Sequence, residues 1–361
     1  MMFIICFYSF IILLFTIGLI RLPKTKIDKT LDQQKFSIVI PFRNEENSLN
    51  TLLISIKNLT YNSENFEVLL IDDESTDNSV NTIKKWQDEL TNIQILKNQR
   101  VSNSPKKDAI QVGIKSAKFD FIITTDADCE LPKNWLQAYN TIIQKKQSLF
   151  VAGPIVLRSQ KSFVEQYQKY DSLSLIGITM GSFGLHYPIM CNAANMGFDK
   201  KAYLQIQFQH NNIASGDDIF TLENFVKTFP KKVHYLNSVE AIVSTKAESN
   251  WKNVIQQRIR WAAKSTHYKN LFTKLVGFIV LITQLAIVLG CFLNLTLTFY
   301  IWFIKISIDF IIILMTSKKL SQKISFVQYL FMAILYPFLN TYIGIKALFG
   351  GYTWKERNFK R

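Results

Sequence analysis

Asp126 and Asp128 close the apolar run FDFIITTDADC (119–129) with a single alanine between them. Carboxylates this close are costly to hold unless a cation or hydrogen bonds balance them. Hard cations such as Mg2+ or Mn2+ take carboxylate oxygens and bridge them to phosphates. The pair therefore reads as a divalent-metal clamp, able to neutralise a diphosphate. A second pair, Asp217 and Asp218 in SGDDIF, is directly adjacent, so repulsion raises one of its pKa values toward neutrality. The same tetrapeptide before an apolar run is also a helix N-cap pattern. Two further acid-rich turns are Glu45–Glu46 in PFRNEE and Asp72–Asp73 in LLIDDESTDNS. The second of these is also an Asx-turn sequence.

These acids need elements to hold them. FSIVIPFRNEENSLNTLLISIKNL predicts a strand, a turn starting at Pro41 and an amphipathic helix. FEVLLIDDESTDNSVNTIKKWQDEL repeats that scheme, IQILKN gives a third strand, KKDAIQVGIKSAK a helix and FDFIITTDADC a fourth strand. Apolar runs alternating with helical patterns predict βαβ units and a mostly parallel sheet. In such sheets ligands bind beyond the carboxyl ends of the strands, where three of the acidic turns fall.

The ends of the chain are different. Residues 1–21 include an uncharged stretch long enough to span a bilayer, followed by Arg21, Lys24 and Lys26. The segment lacks a basic leader region and a small-x-small cleavage site, so it reads as an uncleaved anchor with its C-terminal side in the cytoplasm. Residues 272–316 predict a tight transmembrane hairpin, with Lys305 and Asp309 one turn apart and able to pair inside the bundle. Residues 326–350 form a third apolar segment, interrupted by Pro337, Asn340 and Lys346. It either spans or re-enters, and the basic tail favours a break at Pro337 and Asn340 that returns it to the cytoplasm. Between anchor and hairpin lie a soluble region, 35–250, and a basic amphipathic segment, 251–271, suited to the membrane interface. With 42 Lys and Arg against 27 Asp and Glu, the net charge of +15 suits an anionic leaflet. Nucleic acid is the rival partner for such basicity, but the sequence contains no nucleic-acid module. Cys6, Cys129, Cys191 and Cys291 lack metal spacing and read as unpaired thiols.

SIVIPFRNEE, LLIDDESTDNS, KKDAI, TDADC, SGDD and QQRIRW occur in the order and approximate spacing of inverting family-2 glycosyltransferases with the GT-A fold. The resemblance covers residues 36–261 and is nearest to membrane-bound members carrying Gln-x-x-Arg-Trp. It implies an α/β, Rossmann-like GT-A domain with transmembrane helices at both ends. It also implies a nucleotide-sugar donor, UDP-sugar ahead of GDP-mannose, a lipid or lipid-linked acceptor, and Mg2+ or Mn2+ as cofactor. The setting is integral to a bacterial cell membrane, with the catalytic domain cytoplasmic.

By resemblance, Pro41 and Glu45 hold the nucleoside, and Asp73, with Asp72 beside it, reads the base. Lys106 approaches the nucleotide, although Lys107 is equal on charge. Asp126 faces ribose and metal, Asp128 ligates the metal, and Asn195 in CNAANMGF lies near the donor sugar. Asp218 is the base in a Gly-Glu-Asp pattern where Asp217 replaces Glu. Gln257, Arg260 and Trp261 match Gln-x-x-Arg-Trp, with Arg260 stabilising the leaving diphosphate and Trp261 bordering the acceptor. Two other readings stand beside this one, a processive polysaccharide synthase and a non-catalytic nucleotide-binding membrane scaffold.

Overall fold

The computed structural model describes residues 1–102, 104–158, 161–206, 217–264, 268–349, 352–354 and 357–359, and side chains at 217, 264, 352–354 and 357–359 are outside that description. The elements, in order, are α1 (Met2–Arg21), β1 (Phe36–Phe42), α2 (Glu46–Lys57), β2 (Phe66–Asp72), α3 (Ser79–Trp86), β3 (Ile93–Lys97), α4 (Pro105–Ser116), β4 (Phe121–Thr124) and α5 (Trp135–Lys146). They continue with β5 (Phe150–Ala152), β6 (Ile155–Arg158), α6 (Phe163–Gly184), β7 (Met196–Asp199), α7 (Lys200–Gln205), α8 (Asp217–Thr228), β8 (Val233–Tyr235) and β9 (Val243–Lys246). The C-terminal third holds α9 (Trp251–Lys264), α10 (Leu271–Leu293), α11 (Leu295–Lys319), α12 (Phe326–Phe349), β10 (Tyr352–Trp354) and β11 (Arg357–Phe359).

The chain divides into two compact units. One comprises residues 23–156 and 190–246, the other 1–22, 157–189 and 247–361. The first is built on a seven-stranded sheet ordered β3-β2-β1-β4-β7-β5-β8. Strands β3, β2, β1 and β4 run parallel, and β7 enters antiparallel between β4 and β5. The chain lays down β1, β2 and β3 in one direction and then returns to place β4 on the other side of β1. In open α/β sheets ligands bind at such a reversal, which here falls at the carboxyl ends of β1 and β4.

Side chains alternate across this sheet. Ile38, Ile40, Phe42, Val68 and Leu70 join one core with Leu49, Leu52 and Leu53 of α2 and Trp135 of α5. Val39 faces the other way, and a Cβ on Gly113 of α4 would lie 2.4 Å from its Cγ1. Glycine there lets α4 approach the sheet closely, which brings the first turn of α4 to the strand ends.

The second unit contains α1, α10, α11 and α12, four helices long and apolar enough to cross a membrane, and they give the chain its membrane-associated part. Asn294 joins α10 to α11 alone, and its side chain accepts from the backbone N–H of Leu297, capping α11. The Lys305–Asp309 pair forms at 2.5 Å with Lys305 buried, and the hydroxyl of Tyr8 in α1 donates to Asp309 at 2.7 Å.

Two expectations change here. Residues 157–189, read as part of the soluble domain, pack with the membrane helices instead. The cause is a small-residue face on α6. A Cβ on Gly181 would fall 2.2 Å from the carbonyl oxygen of Phe15, and one on Gly18 would fall 2.1 Å from that of Gly181. Backbones this close need glycine on both helices. The break foreseen at Pro337 and Asn340 is absent, since α12 is one helix through both residues. Proline lacks the N–H that would bond Ala333, and the indole of Trp302 donates to that carbonyl at 3.4 Å instead.

Candidate nucleotide and metal site

The loop after β1 is fastened to the loop after β2. Asn44 adopts a left-handed backbone (φ 52°), which asparagine tolerates better than most residues. Its side chain accepts from the N–H of Thr76 at 2.8 Å. The Glu45 N–H donates to Ser79 Oγ and the Glu46 N–H to Asp77, while Glu46 accepts from the N–H of Asn78. Burial would raise the Asp77 carboxyl, but hydrogen bonds from Ser79 and Glu46 outweigh it and hold the group below the usual range. Pro41, half-buried, stands one residue from the end of β1 at the head of this loop.

The two aspartates after β2 divide their work. Asp72 Oδ1 accepts from the N–H of Ser75 at 2.9 Å, forming the Asx turn. Asp73, only 6% exposed, accepts on Oδ1 from Asn98 Nδ2 and from Arg100 Nε, each at 2.8 Å. Arg43 donates to the Asp73 carbonyl at 3.1 Å, and its guanidinium lies 4.0 Å from Oδ2. Arg100 also pairs with Glu74 at 2.6 Å. Sequence reasoning missed Arg43, Asn98, Arg100 and Asp108. Asp108 accepts from the N–H groups of Val101 and Ser102 and fixes the approach to α4. The available signal was that a buried aspartate demands donors, with NQR following the third strand.

Lys106, in the first turn of α4, donates to Asp126 Oδ1 just beyond β4. Lys106 and Asp126 thus form an ion pair at the strand end. Asp128 Oδ2 accepts from Thr245 Oγ1 of β9 at 3.0 Å. Burial first, then the charges of Asp126 and Glu45, push the Asp128 carboxyl above its ordinary value. Glu45, Asp126 and Asp128 therefore share one electrostatic neighbourhood. Among the described residues no three His, Cys, Asp or Glu side chains form a metal-binding group by themselves. Two carboxylates one residue apart still suit a hard cation whose remaining ligands would be phosphate oxygens and water. The residues fit the group.

Asp218 lies in the first turn of α8, half-buried, with Oδ1 2.9 Å from the N–H of Ile219. Its carbonyl lies 3.3 Å from Cys191 Sγ. Ser215, Gly216 and the side chain of Asp217 lie outside the described residues.

Asn195 is a correction. It is fully buried, and its Oδ1 accepts from Trp135 Nε1 and Tyr139 OH at 3.0 Å. Its Nδ2 donates to the carbonyls of Pro154 and Ala241 at 2.8 and 2.9 Å. An amide side chain has two donors and two lone pairs, and all four are used. Asn195 ties α5 to two loops and presents no atom to a donor sugar.

Gln257, Arg260 and Trp261 all lie on α9, in the unit that contains the membrane helices. Arg258, between the motif positions, is the buried arginine of this helix, paired with Asp171 of α6 at 2.6 Å.

Carboxylates and a lysine gathered at the switch in strand order stand where open α/β sheets bind their ligands. Residues 37–204 match the family model Glycosyl transferase family 2. It is 29% identical over 126 residues to a poly(ribitol-phosphate) beta-glucosyltransferase of Bacillus spizizenii, which covers 34% of this chain and 19% of that protein. It is 38% identical over 105 residues to an undecaprenyl-phosphate 4-deoxy-4-formamido-L-arabinose transferase of Proteus mirabilis (27% of this chain, 30% of that one). A Methanococcus voltae dolichyl N-acetyl-alpha-D-glucosaminyl phosphate 3-beta-D-2,3-diacetamido-2,3-dideoxy-beta-D-glucuronosyltransferase is 30% identical over 139 residues (37% and 42%). The chain thus spans less than half the length of each of these relatives. Among solved structures, the mannosyltransferase PcManGT from Pyrobaculum calidifontis, in complex with GDP-Man and Mn2+, shares the fold. The TM-score is 0.60 at 13% identity, over 96% of this chain and 97% of that one.

Proposed function

We propose that this protein transfers a sugar from a nucleotide diphosphate sugar, a UDP-sugar foremost, to a lipid or lipid-linked acceptor, with inversion at the anomeric carbon. The observation that carries the reading is the Lys106–Asp126 contact beside half-buried Asp128, at the carboxyl ends of the parallel strands. Asp73, held by Asn98 and Arg100, is poised to accept from a base N–H. Pro41 and Glu45 border the nucleoside, and Asp72 sets the turn that aims Asp73. Asp126 and Asp128 would hold Mg2+ or Mn2+, which supplies charge neutralisation for the diphosphate. The Lys106 ammonium, which pairs with Asp126, is placed to turn to a phosphate oxygen of the donor.

Inversion needs a base on the face opposite the leaving group. Asp218 takes the acceptor hydroxyl proton, with Asp217 beside it. Arg260 balances the departing diphosphate, and Gln257 and Trp261 belong to the same segment. The relatives named for undecaprenyl-phosphate and dolichyl phosphate substrates, together with four membrane-length helices, support a lipid acceptor. The cations Arg21, at the end of α1, and Lys24 and Lys26 just beyond it support a cytoplasmic domain.

The test incubates membranes containing the protein with a panel of labelled nucleotide sugars, followed by solvent extraction. Label appearing in lipid with release of the nucleoside diphosphate is the expected result. Release into water without labelled lipid would overturn the acceptor class, and no release from any donor would overturn the transferase reading.

A further inference from the structure

The resemblance marks Gln257, Arg260 and Trp261 but passes over Arg258 and Asp171. We propose that Asp171 is a positioning residue for the Gln257–Trp261 segment, acting through Arg258. This rests on the transferase reading for the role of that segment, and its geometry lies entirely within one unit.

One guanidinium touches both ends of the motif. Arg258 Nε lies 2.6 Å from Asp171 Oδ2, and Nη1 donates to Gln257 Oε1 at 2.8 Å. The plane of the same group covers the Trp261 indole, with Cζ 4.2 Å from the ring centroid. Arg258 is 8% exposed and Asp171 5%, so water competes little for either charge. Helical spacing makes this possible, because residues 258 and 261 share a face of α9. Only a flat, delocalised cation with several fixed donors can stack on an indole, pair with a carboxylate and hold an amide at once. A lysine ammonium is a point charge and cannot.

Asp171 is itself anchored. Gln168, one turn earlier on α6, donates to the carbonyl of Glu248 at 2.8 Å and accepts from the Glu248 N–H at 2.9 Å. Tyr167 packs against Trp251, the first residue of α9, with ring centroids 5.3 Å apart. Tyr167, Gln168 and Asp171 thus form one face of α6 directed at α9 and its lead-in. Without the Asp171 charge, the guanidinium loses the partner that balances it in a dry site. It then turns toward water and releases both Gln257 and the indole.

The experiment uses the full chain in nanodiscs of its host lipid extract, with UDP and Mn2+ as the binding probe and the productive labelled donor for turnover. The variants are Asp171→Asn, Arg258→Lys and the apolar double Asp171→Leu/Arg258→Met. We expect each single variant to lower kcat by about 100-fold, the scale of a misplaced group, with UDP affinity within about twofold of wild type. The double should recover the wild-type Tm, because apolar pairs replace buried ion pairs without loss of stability, yet remain as slow as the singles. Recovery of kcat along with Tm would show a purely structural pair and overturn the proposal, as would wild-type kcat in Asp171→Asn. A wild-type protein that binds UDP with no turnover of any donor would sink the transferase reading, and this role with it, before a substitution is made.

Discussion

Arg100 Nε lies 2.8 Å from Asp73 Oδ1, so the carboxylate proposed to read a nucleobase is oriented by a guanidinium from beyond the next strand. Asn98 donates to the same oxygen, also at 2.8 Å. Hydrogen bonds to charged groups are worth about 1.5–3 kcal/mol. Arg100→Ala removes the guanidinium that orients Asp73 and should therefore weaken UDP binding by roughly tenfold or more, with the fold intact. Titration calorimetry measures this directly, and unchanged affinity would remove Asp73 from the base site.

Metal dependence is the second expectation. Asp126 has Lys106 to balance it, whereas Asp128 has Thr245 as its hydroxyl donor and sits against two other carboxylates. A divalent cation relieves that repulsion. EDTA should abolish transfer, Mn2+ or Mg2+ should restore it, and Asp128→Asn should stay inactive with either metal. Full turnover after exhaustive dialysis against EDTA is the result that would discard the metal.

Local chemistry explains how much of this was legible. The strand–turn–helix alternation and the acids at strand ends are written in contiguous residues, and β1, β2, β3 and β4 fall where the apolar runs predict. The partners of Asp73 were hidden because Arg100 is 27 positions away, a distance that only strand order closes. Helix α6 was hidden for a different reason. Its packing face onto α1 is made of Gly181 and Gly184, set against Gly18 of α1, and glycines raise no hydrophobic signal even where they allow the closest backbone contact. Asn195 misled because residue type was read without burial. An asparagine suited to a ligand is equally suited to four internal hydrogen bonds.

For the base, Asp218→Asn should lower kcat by 10²-fold or more and leave donor affinity nearly unchanged, since the group acts on the acceptor in the transition state. Asp217→Asn should cost far less. Steady-state kinetics with both variants separates them. An inactive Asp217→Asn beside an active Asp218→Asn would shift the base by one residue.

The last expectation concerns the C-terminal tail. By length and composition α12 can cross a membrane, and a crossing would leave the tail on the side opposite α9. Its contacts say otherwise. Ile343 and Ala347, near its end, pack on Ile259 of α9, and β10 also borders α9. Near its start, Ser325 accepts through its carbonyl from the Tyr170 hydroxyl of α6, and α6 also carries the Asp171 that pairs with α9. Both ends of α12 are therefore tied to the α6–α9 pair, while its middle reaches Trp302. Helix α9 is the element before α10 in the chain, so it marks the side from which α10 departs. A basic tail held on that side also agrees with the positive-inside tendency. Single cysteines at Lys252 and Lys360, in a background lacking the four native cysteines, test this in intact cells with a membrane-impermeant reagent. The two positions should respond alike, and labelling of Lys360→Cys alone would make α12 a full span.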